Sequence, residues 1–530
     1  MSNETQQGEE VRGAEVIGAL CLATDLGMGF PFEHGLRSTL VAARLAERLG
    51  VDPATMSETY YACMLAHAGC SAEANVTADI FGGSLTTHVH PVRFGSPREV
   101  FSGIIRALPE PNGTAPIRAV QVARRLPKAA RGQRPHFVAM CEVARMLAED
   151  LGLPPSVHRL LAHLTERWDG KGPLGRAKGD GIPLPMRIVH VAIDATLQHA
   201  IDGEGGAIRM IREHAGRGLD PVVANRLVDE AGQILDLDEV GSVWDEVLDR
   251  EPQPRLMLAD GAIERALAAM GNFGDLISPH LTGHSTGVAE LATAAAARCR
   301  LDSADETAIR RAALVHDIGR VAVDPTIWQQ PRALTAGEWE QVRLHPYQTE
   351  RVLSRSPFLA TLAPVAGAHH ERLDRSGYHR GAAAAELSLP ARVLATADAY
   401  HAMTEPRPHR KALSHAEATE ILADEVRAER LDTDVVGAVL EAAGQVVPQL
   451  ERPAGLTERE AEVVGLLARG LQTKQIARAL GIAAKTADRH IQNSYTKIGV
   501  SSRAAATLFA MEHGLVAWGE LPIARSRARS

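Results

Sequence analysis

The chain repeats itself, and this repetition is the strongest constraint on its fold. Residues 219–232 (LDPVVANRLVDEAG) align without a gap on residues 431–444 (LDTDVVGAVLEAAG). Two shorter matches precede them in the same order, LAHAG at 65–69 with LVHDIG at 314–319 and ERWD at 166–169 with ERLD at 371–374. Self-similarity of this kind indicates a duplicated structural unit. We therefore expect two copies of one domain in tandem, over residues 16–245 and 276–446.

Composition indicates that both copies are helical. Apolar residues make up 45% of the 530 residues, whereas aromatic residues make up only 4%. The apolar positions are filled mainly by Ala, Leu and Val at helical spacing, and alternation of β-branched residues is not the dominant pattern. The sequence therefore predicts an all-α fold.

A third domain is expected after the two copies, because this length fits about three domains at roughly 150 residues each. A linker rich in proline and charged residues at 250–255 separates the copies, and a second linker at 447–455 precedes a small module. We expect this module to fold over residues 456–516. Residues 1–15 are predicted to be a disordered tail and residues 517–530 a flexible one.

Net charge, cysteine content and hydropathy indicate which partners and which cellular compartment suit the chain. The net charge of −8 argues against a chain that coats nucleic acid along its whole length. The five cysteines are odd in number and never form a Cys-x-x-Cys pair, so neither a disulfide framework nor a zinc knuckle is indicated. The sequence contains no run of about 18 apolar residues and no signal-peptide pattern. These features favour a cytoplasmic protein without a membrane span.

The second copy contains a set of potential metal ligands. His316 and Asp317 close an apolar helical run, so their adjacent side chains are placed to reach one ion. The companions fall on separate predicted helices and are His284, His345, His369, His370 and Asp398. One histidine on a helical face is usually an ordinary core or surface residue. The joint pattern favours a metal site.

This order of residues resembles the HD-GYP family of HD phosphohydrolases over about residues 276–446. The resemblance implies two divalent metal ions, with Asp317 bridging them. One ion would be bound by His284, His316, Asp317 and Asp398, and the other by His345, His369 and His370 together with Asp317. Mixed imidazole and carboxylate ligands suit iron, manganese, cobalt or zinc better than magnesium, and we expect iron or manganese. The implied reaction is hydrolysis of a phosphodiester.

The loop that the family uses for substrate departs from its usual form. The family pattern Asp-Gly-x-Gly-Tyr-Pro reads DRSGYH at 374–379, which keeps Gly377 and Tyr378 but loses the proline. A lysine usual after the His-Asp pair is replaced by Arg320, which we expect to meet a phosphate and to act in catalysis with Asp317. Cyclic di-GMP is thus one candidate substrate among cyclic dinucleotides and other phosphodiesters or phosphomonoesters.

The first copy has lost part of this ligand set. His34 lies 33 residues before His67, almost the interval of the second copy, but Ala68 replaces the bridging aspartate. The position of the His-His pair holds Leu164 and Thr165, and Asp194 matches Asp398. Too few ligands remain for a pair of ions, so we interpret this copy as a scaffold, dimerisation or ligand-sensing domain. Binding of one ion by His34, His67 and Asp194 is an alternative.

The small module has the pattern of a helix-turn-helix. Thr457 and Glu460 form a capping-box signature, Gly470 ends the first helix, and Gly481 lies in the turn before the helix predicted at 483–498. The module closely resembles the LuxR-type DNA-binding domain, which has four helices. The resemblance implies DNA binding, dimers and a recognition helix in the major groove. The predicted DNA contacts are Lys474, Lys485, Thr486, Arg489, Asn493 and Lys497.

Two functional hypotheses follow from these patterns. In the first, the chain is a homodimeric transcription regulator whose second copy hydrolyses a phosphodiester or cyclic dinucleotide and couples nucleotide state to DNA binding. In the second, the HD-type copies are not catalytic and only sense a nucleotide or dimerise. Metal content and turnover distinguish the two hypotheses.

Overall fold

A computed structural model describes residues 9–520, apart from 72–76, 78–79, 83–84, 111–112, 238–240, 449–451 and 518–519. The described chain is about 67% helical, which confirms the all-α prediction. Most of the predicted C-terminal tail lies outside the described residues. No helix among the described residues combines the length and hydropathy that crossing a bilayer requires.

The helices of the first copy and of the segment that follows it are α1 to α12. Their bounds are Gly13–Met28, His34–Leu49, Pro53–Met64, Leu85–His88, Pro97–Ala107, Ala115–Asp150, Pro155–Leu160, Leu184–His214, Pro221–Asp229, Ala231–Ile234, Val243–Asp249 and Gly261–Asp275.

The helices of the second copy and of the small module are α13 to α25. Their bounds are His284–Arg298, Ser303–Val315, Ala336–Arg343, His345–Leu353, Pro357–Ala360, Ala363–Ala366, Leu389–Thr404, His415–Arg427, Thr433–Ala442, Glu458–Ala468, Thr473–Ala479, Ala484–Lys497 and Arg503–Glu512. Short 3₁₀ turns lie between several of these helices.

Two short strands form an antiparallel pair, β1 at Glu10–Arg12 and β2 at Met257–Ala259. Val11 lies opposite Leu258, and both side chains are buried. The predicted disordered tail 1–15 therefore differs from the structure from residue 10 onwards, because burial of this apolar pair and the start of α1 order the chain. Residues 1–8 lie outside the described residues.

The chain divides into two compact units. Unit 1 contains residues 1–282, 318–330 and 351–359, and unit 2 contains residues 283–317, 331–350 and 360–530. Three short segments of the second copy, 276–282, 318–330 and 351–359, thus belong to unit 1, and the small module belongs to unit 2. The domain limits derived from the sequence remain a prediction.

Side-chain caps define where the helices of unit 2 begin. The carboxylate of Asp302 accepts hydrogen bonds from the first turn of α14, and the hydroxyl of Ser388 does the same for α19. Asp432 caps α21. Each cap satisfies backbone N–H groups that have no partner inside the helix, and such a cap typically stabilises a helix by about 1 kcal/mol. These caps fix the first turns of three helices of unit 2, two of which, α14 and α19, carry or precede candidate ligands.

The small module is a four-helix domain with its own core. The predicted capping box is present, since Thr457 accepts from the backbone of Glu460 and the Glu460 carboxylate accepts from that of Thr457. Gly470 has φ +93° just after α22, in the left-handed region that glycine adopts most easily. Two clusters of buried apolar side chains hold the four helices together, one around Val464 and one around Ile476.

Candidate metal centre

The candidate ligand histidines lie at or just after helix ends, which allows them to converge. His284 is the first residue of α13 and His345 the first of α16, while His316 directly follows α14. His369 and His370 follow α18, and Asp398 lies within α19. The side chains of His284, His316, Asp317, His345, His369 and Asp398 are at most 2% exposed.

Asp317 lies between two groups of imidazoles. Its Oδ2 is 2.8 Å from Nε2 of His316 and 3.6 Å from Nε2 of His284. Its Oδ1 is 3.2 Å from Nε2 of His345 and 3.3 Å from Nε2 of His369. Each carboxylate oxygen thus faces a different group, which is the arrangement that a bridging ligand needs.

The two groups coincide with the ligand sets predicted from the sequence. His284, His316, Asp317 and Asp398 offer ligand atoms that all lie within 4.8 Å of one another, and so do His345, His369 and His370. In the first group, Nε2 of His284 is 3.1 Å from Oδ1 of Asp398. All seven predicted ligands therefore meet in one place, although their role as ligands remains a prediction.

Backbone carbonyls fix the tautomer of three of these histidines. Nδ1 of His316 lies 2.6 Å from the oxygen of Ala313, and His345 and His369 have the same contact at the same distance with the carbonyl three residues earlier. A carbonyl oxygen can only accept, so each Nδ1 carries a proton and Nε2 is the nitrogen that a metal would take. These carbonyls belong to helix ends, where they have no partner within the helix.

His284 opens α13 and is fixed by a side chain. Its Nδ1 lies 2.8 Å from Oε2 of Glu405, the residue that follows α19, and the same oxygen accepts from Arg407 at 2.9 Å. A carboxylate behind a ligating histidine orients the ring and raises its basicity. Sequence reasoning missed Glu405, because 121 residues separate it from His284. Its position seven residues after Asp398 is the only signal that could have suggested it.

The protonation states fit a cation at this place. Burial raises the pKa of Asp398, but hydrogen bonds with His284 and His316 outweigh it and hold that pKa well below its usual value. Burial lowers the pKa of His316, yet the charge of Asp317 raises it to about 10 overall. The buried carboxylates thus stabilise positive charge beside them. A proton on His316 supplies that charge, and a divalent cation would displace this proton. The imidazole and carboxylate donors fit borderline cations such as iron, manganese or zinc.

The loop at 374–379, predicted to bind substrate, lies beside the same residues. The buried Glu371 accepts backbone hydrogen bonds from Arg380 at 2.7 Å and Ala382 at 2.9 Å. A Cβ at Gly377 would lie 2.5 Å from the backbone of Glu371, so close packing requires glycine there. The ring of Tyr378 lies 4.7 Å from that of His370. The predicted loop residues therefore lie beside the second ligand group.

Arg320 lies in the 3₁₀ turn that follows the His-Asp pair and belongs to unit 1. The residue is 5% exposed, and its guanidinium carbon lies 5.6 Å from the ring centre of Trp328. Its predicted contact with a phosphate and its catalytic role stay predictions.

In the first copy, some matching residues occupy similar positions, but the described residues form no group of ligands. His34 opens α2 as His284 opens α13, and its ring lies 6.5 Å from that of His67. Oδ2 of Asp194 faces Nδ1 of His214 at 2.6 Å. Burial lowers the pKa of His34 to about 4, and the ring of Phe30 stacks on it at 4.4 Å. Among the described residues of unit 1, no three potential ligands converge.

The predicted DNA contacts lie on the surface of the small module. Lys474, Lys485, Thr486, Arg489 and Asn493 are exposed, whereas Ala487 and Ile491 on the opposite side of α24 are buried. Lys497 is exposed and also has partners within the module. Its Nζ donates to Oε2 of the buried Glu460 at 2.7 Å and to the oxygen of Gly455 at 2.9 Å, so its charge is neutralised within the module.

Comparisons with known families agree with this architecture. Residues 274–435 match the HD domain family, and residues 454–510 match the family of bacterial regulatory proteins of the luxR type. The fold and the site thus define a class of protein, an HD domain followed by a LuxR-type helix-turn-helix domain, as the sequence patterns predicted.

Individual relatives place the chain more narrowly. It is 29% identical over 420 residues to the 3'3'-cGAMP-specific phosphodiesterase 3 of Vibrio cholerae serotype O1, covering 77% of this chain and 90% of that protein. It is 37% identical over 142 residues to a cyclic di-GMP phosphodiesterase of Pseudomonas aeruginosa, covering 27% and 34%. A crystal structure of a cyclic GMP-AMP specific phosphodiesterase of V. cholerae matches with a TM-score of 0.58 and 26% identity, covering 83% of this chain and 99% of that one. The chain is therefore a homologue of HD-GYP phosphodiesterases, in agreement with the predicted enzyme class.

Proposed function

We propose that unit 2 binds two divalent metal ions and hydrolyses a cyclic dinucleotide, and that iron or manganese is the natural metal. The observation that carries this proposal is the position of Asp317, whose two oxygens face two separate groups of imidazoles. The names of the relatives favour 3'3'-cGAMP or cyclic di-GMP as the substrate.

The residues of the site would each have a defined part in this reaction. A pair of such ions supplies a nucleophile at neutral pH and neutralises charge that builds up on phosphoryl oxygens. Asp317 would hold both ions, and the histidines whose Nδ1 faces a backbone carbonyl would present Nε2 to them. Because these side chains are buried, their charges act in a medium that screens them less than water does. Tyr378 borders the second ligand group and would help to position the substrate.

Hydrolysis of 3'3'-cGAMP and cyclic di-GMP by the purified, metal-loaded protein tests this function. We expect turnover by the wild type and a loss of at least about 100-fold in Asp317→Ala, since even partners behind metal ligands are worth about 10–100-fold. Asp424→Ala removes an exposed carboxylate of unit 2 and should keep full activity. A fully metal-loaded wild type without turnover of either nucleotide would favour the alternative, in which the HD domain only senses a ligand.

We also propose that the small module binds DNA and makes the chain a transcription regulator, acting as a homodimer. Residues 456–515 contain eight Lys and Arg against five Asp and Glu, a positive net charge within a chain of −8. The exposed residues of α24 include Arg489 and Asn493, which suit base edges, and Lys485, which suits phosphates.

Binding to sites selected from random DNA tests this second proposal. Arg489→Ala should relax sequence preference at one position by about 1–3 kcal/mol, whereas Lys485→Ala should weaken binding to all sequences alike and reduce its salt dependence. Equal effects of the two substitutions on specific and random DNA would refute the assignment of base and phosphate contacts.

A further inference from the structure

A stripe of exposed side chains runs along α15 and α16 in unit 2. Trp339, Arg343 and Tyr347 are spaced four residues apart, which places them on one face of successive helical turns. Trp339 is 47% exposed and Tyr347 46%, and the guanidinium-bearing side chain of Arg343 is 45% exposed. His345, a candidate metal ligand, lies within the same segment. Large aromatic side chains left half in water beside a reaction centre are typical of a binding surface.

The substrate loop meets this stripe. The guanidinium carbon of Arg343 lies 5.4 Å from the ring centre of Tyr378, and the ring of Tyr347 lies edge-on at 5.8 Å from that of His379. Tyr378 in turn lies against His370 of the metal centre. Tyr378 thus connects His370 with Arg343, and the next residue of the loop, His379, contacts Tyr347.

His379 adds a polar group to this surface. It stands where the HD-GYP pattern has proline, and its Nε2 lies 3.4 Å from Oε2 of Glu350. Its Nδ1 is buried and has no hydrogen-bond partner among the described residues. Such an atom is costly to bury unless a ligand satisfies it, and the exocyclic groups and ring nitrogens of nucleobases can do so.

We propose that Trp339, Arg343, Tyr347 and His379 form the subsite for a nucleobase of the phosphodiester substrate. Aromatic faces stack on bases of any sequence, a guanidinium adds cation–π or phosphate contacts, and the imidazole gives hydrogen-bond selectivity. The inference rests on the proposed hydrolysis, because the scissile phosphate is taken to lie at the metal centre. It makes residue 379 a determinant of which dinucleotide is preferred.

Steady-state kinetics on 3'3'-cGAMP and cyclic di-GMP test the subsite. Tyr347→Leu removes the aromatic face and should raise KM by about 5- to 150-fold with little change in kcat, as expected for a loss of stacking. Tyr347→Phe keeps the face and should restore the wild-type KM. His379→Pro should change the ratio of kcat/KM between the two nucleotides. Ile421→Ala, an exposed apolar residue on α20, serves as the control.

The outcomes separate this inference from the proposed function. The inference is overturned if Leu and Phe at 347 behave alike, or if KM for methyl p-nitrophenyl phosphate, which has no nucleobase, rises as much as that for the dinucleotides. If the wild type hydrolyses nothing, the proposed function fails, and calorimetric titration with 3'3'-cGAMP then decides the subsite. The subsite is supported if Tyr347→Leu binds 3'3'-cGAMP more weakly than Tyr347→Phe does. It is overturned if the two variants bind equally well, or if the wild type does not bind the nucleotide.

Discussion

At the scale of single residues, the direction in which each imidazole nitrogen points decides what the site can do. In three histidines, Nδ1 lies against a carbonyl three residues earlier, because each of them follows the last turn of a helix. His345 is at the same time the first residue of α16. His284 stands where a helix begins, so a carboxylate takes that part. Glu405 is therefore a positioning residue for His284, with Arg407 beside the same oxygen.

Replacing Glu405 by Ala should weaken metal binding by about 10–100-fold without changing the number of ions bound, because the ring of His284 loses its orientation and basicity. Competition with a chelator measures the affinity. Glu420→Ala, which removes an exposed glutamate from α20, should bind metal as the wild type does. An unchanged affinity, or the loss of one whole ion per chain, would contradict a positioning role.

At the scale of elements, α19 connects the metal centre with the small module. Arg392 lies six residues before Asp398 on this helix and is 7% exposed. Its guanidinium donates to the oxygens of Ala384 at 2.8 Å and Leu387 at 3.0 Å, to the carboxylate of Asp432 at 2.9 Å and to the oxygen of Gly514, just after α25. One buried cation thus joins three parts of unit 2.

Arg392→Met should lower the free energy of unfolding of unit 2 by about 3–5 kcal/mol, since it leaves a partly buried carboxylate and several carbonyls without a donor. Thermal unfolding followed by calorimetry would detect it as a fall in Tm. Arg427→Met removes an exposed ion pair on α20 and should cost less than about 1 kcal/mol. Equal Tm values for the two variants would show that Arg392 does not hold the module.

The same helix shows what the sequence could and could not predict. The order His284, His316-Asp317, His345, His369-His370, Asp398 predicted one site because it resembles the pattern of a known family. Arg392 and Glu405 are not part of that pattern, and their partners lie 122 and 121 residues away, so the sequence did not reveal them. The sequence also did not reveal that Lys497 donates to Glu460, while its contact with DNA stays a prediction.

At the scale of the whole molecule, the two predicted copies differ in their candidate ligands. Both copies keep a glutamate that accepts a backbone hydrogen bond from its glycine-bearing loop, Glu166 from Arg176 and Glu371 from Arg380. Among the described residues, the second copy has a carboxylate between two groups of imidazoles and the first copy has no such arrangement. We therefore expect one metal centre in the chain, although the repeat by itself would suggest two.

The number of metal ions per chain can be measured on the purified protein after loosely bound ions are removed. We expect about two ions per chain in the wild type, because Asp317 can bridge one pair and the described residues of the first copy offer no comparable set of ligands. Asp317→Ala should bind markedly fewer ions while remaining helical by circular dichroism. A wild type without tightly bound metal, or one with about four ions shared between the copies, would contradict a single two-metal centre in the second copy.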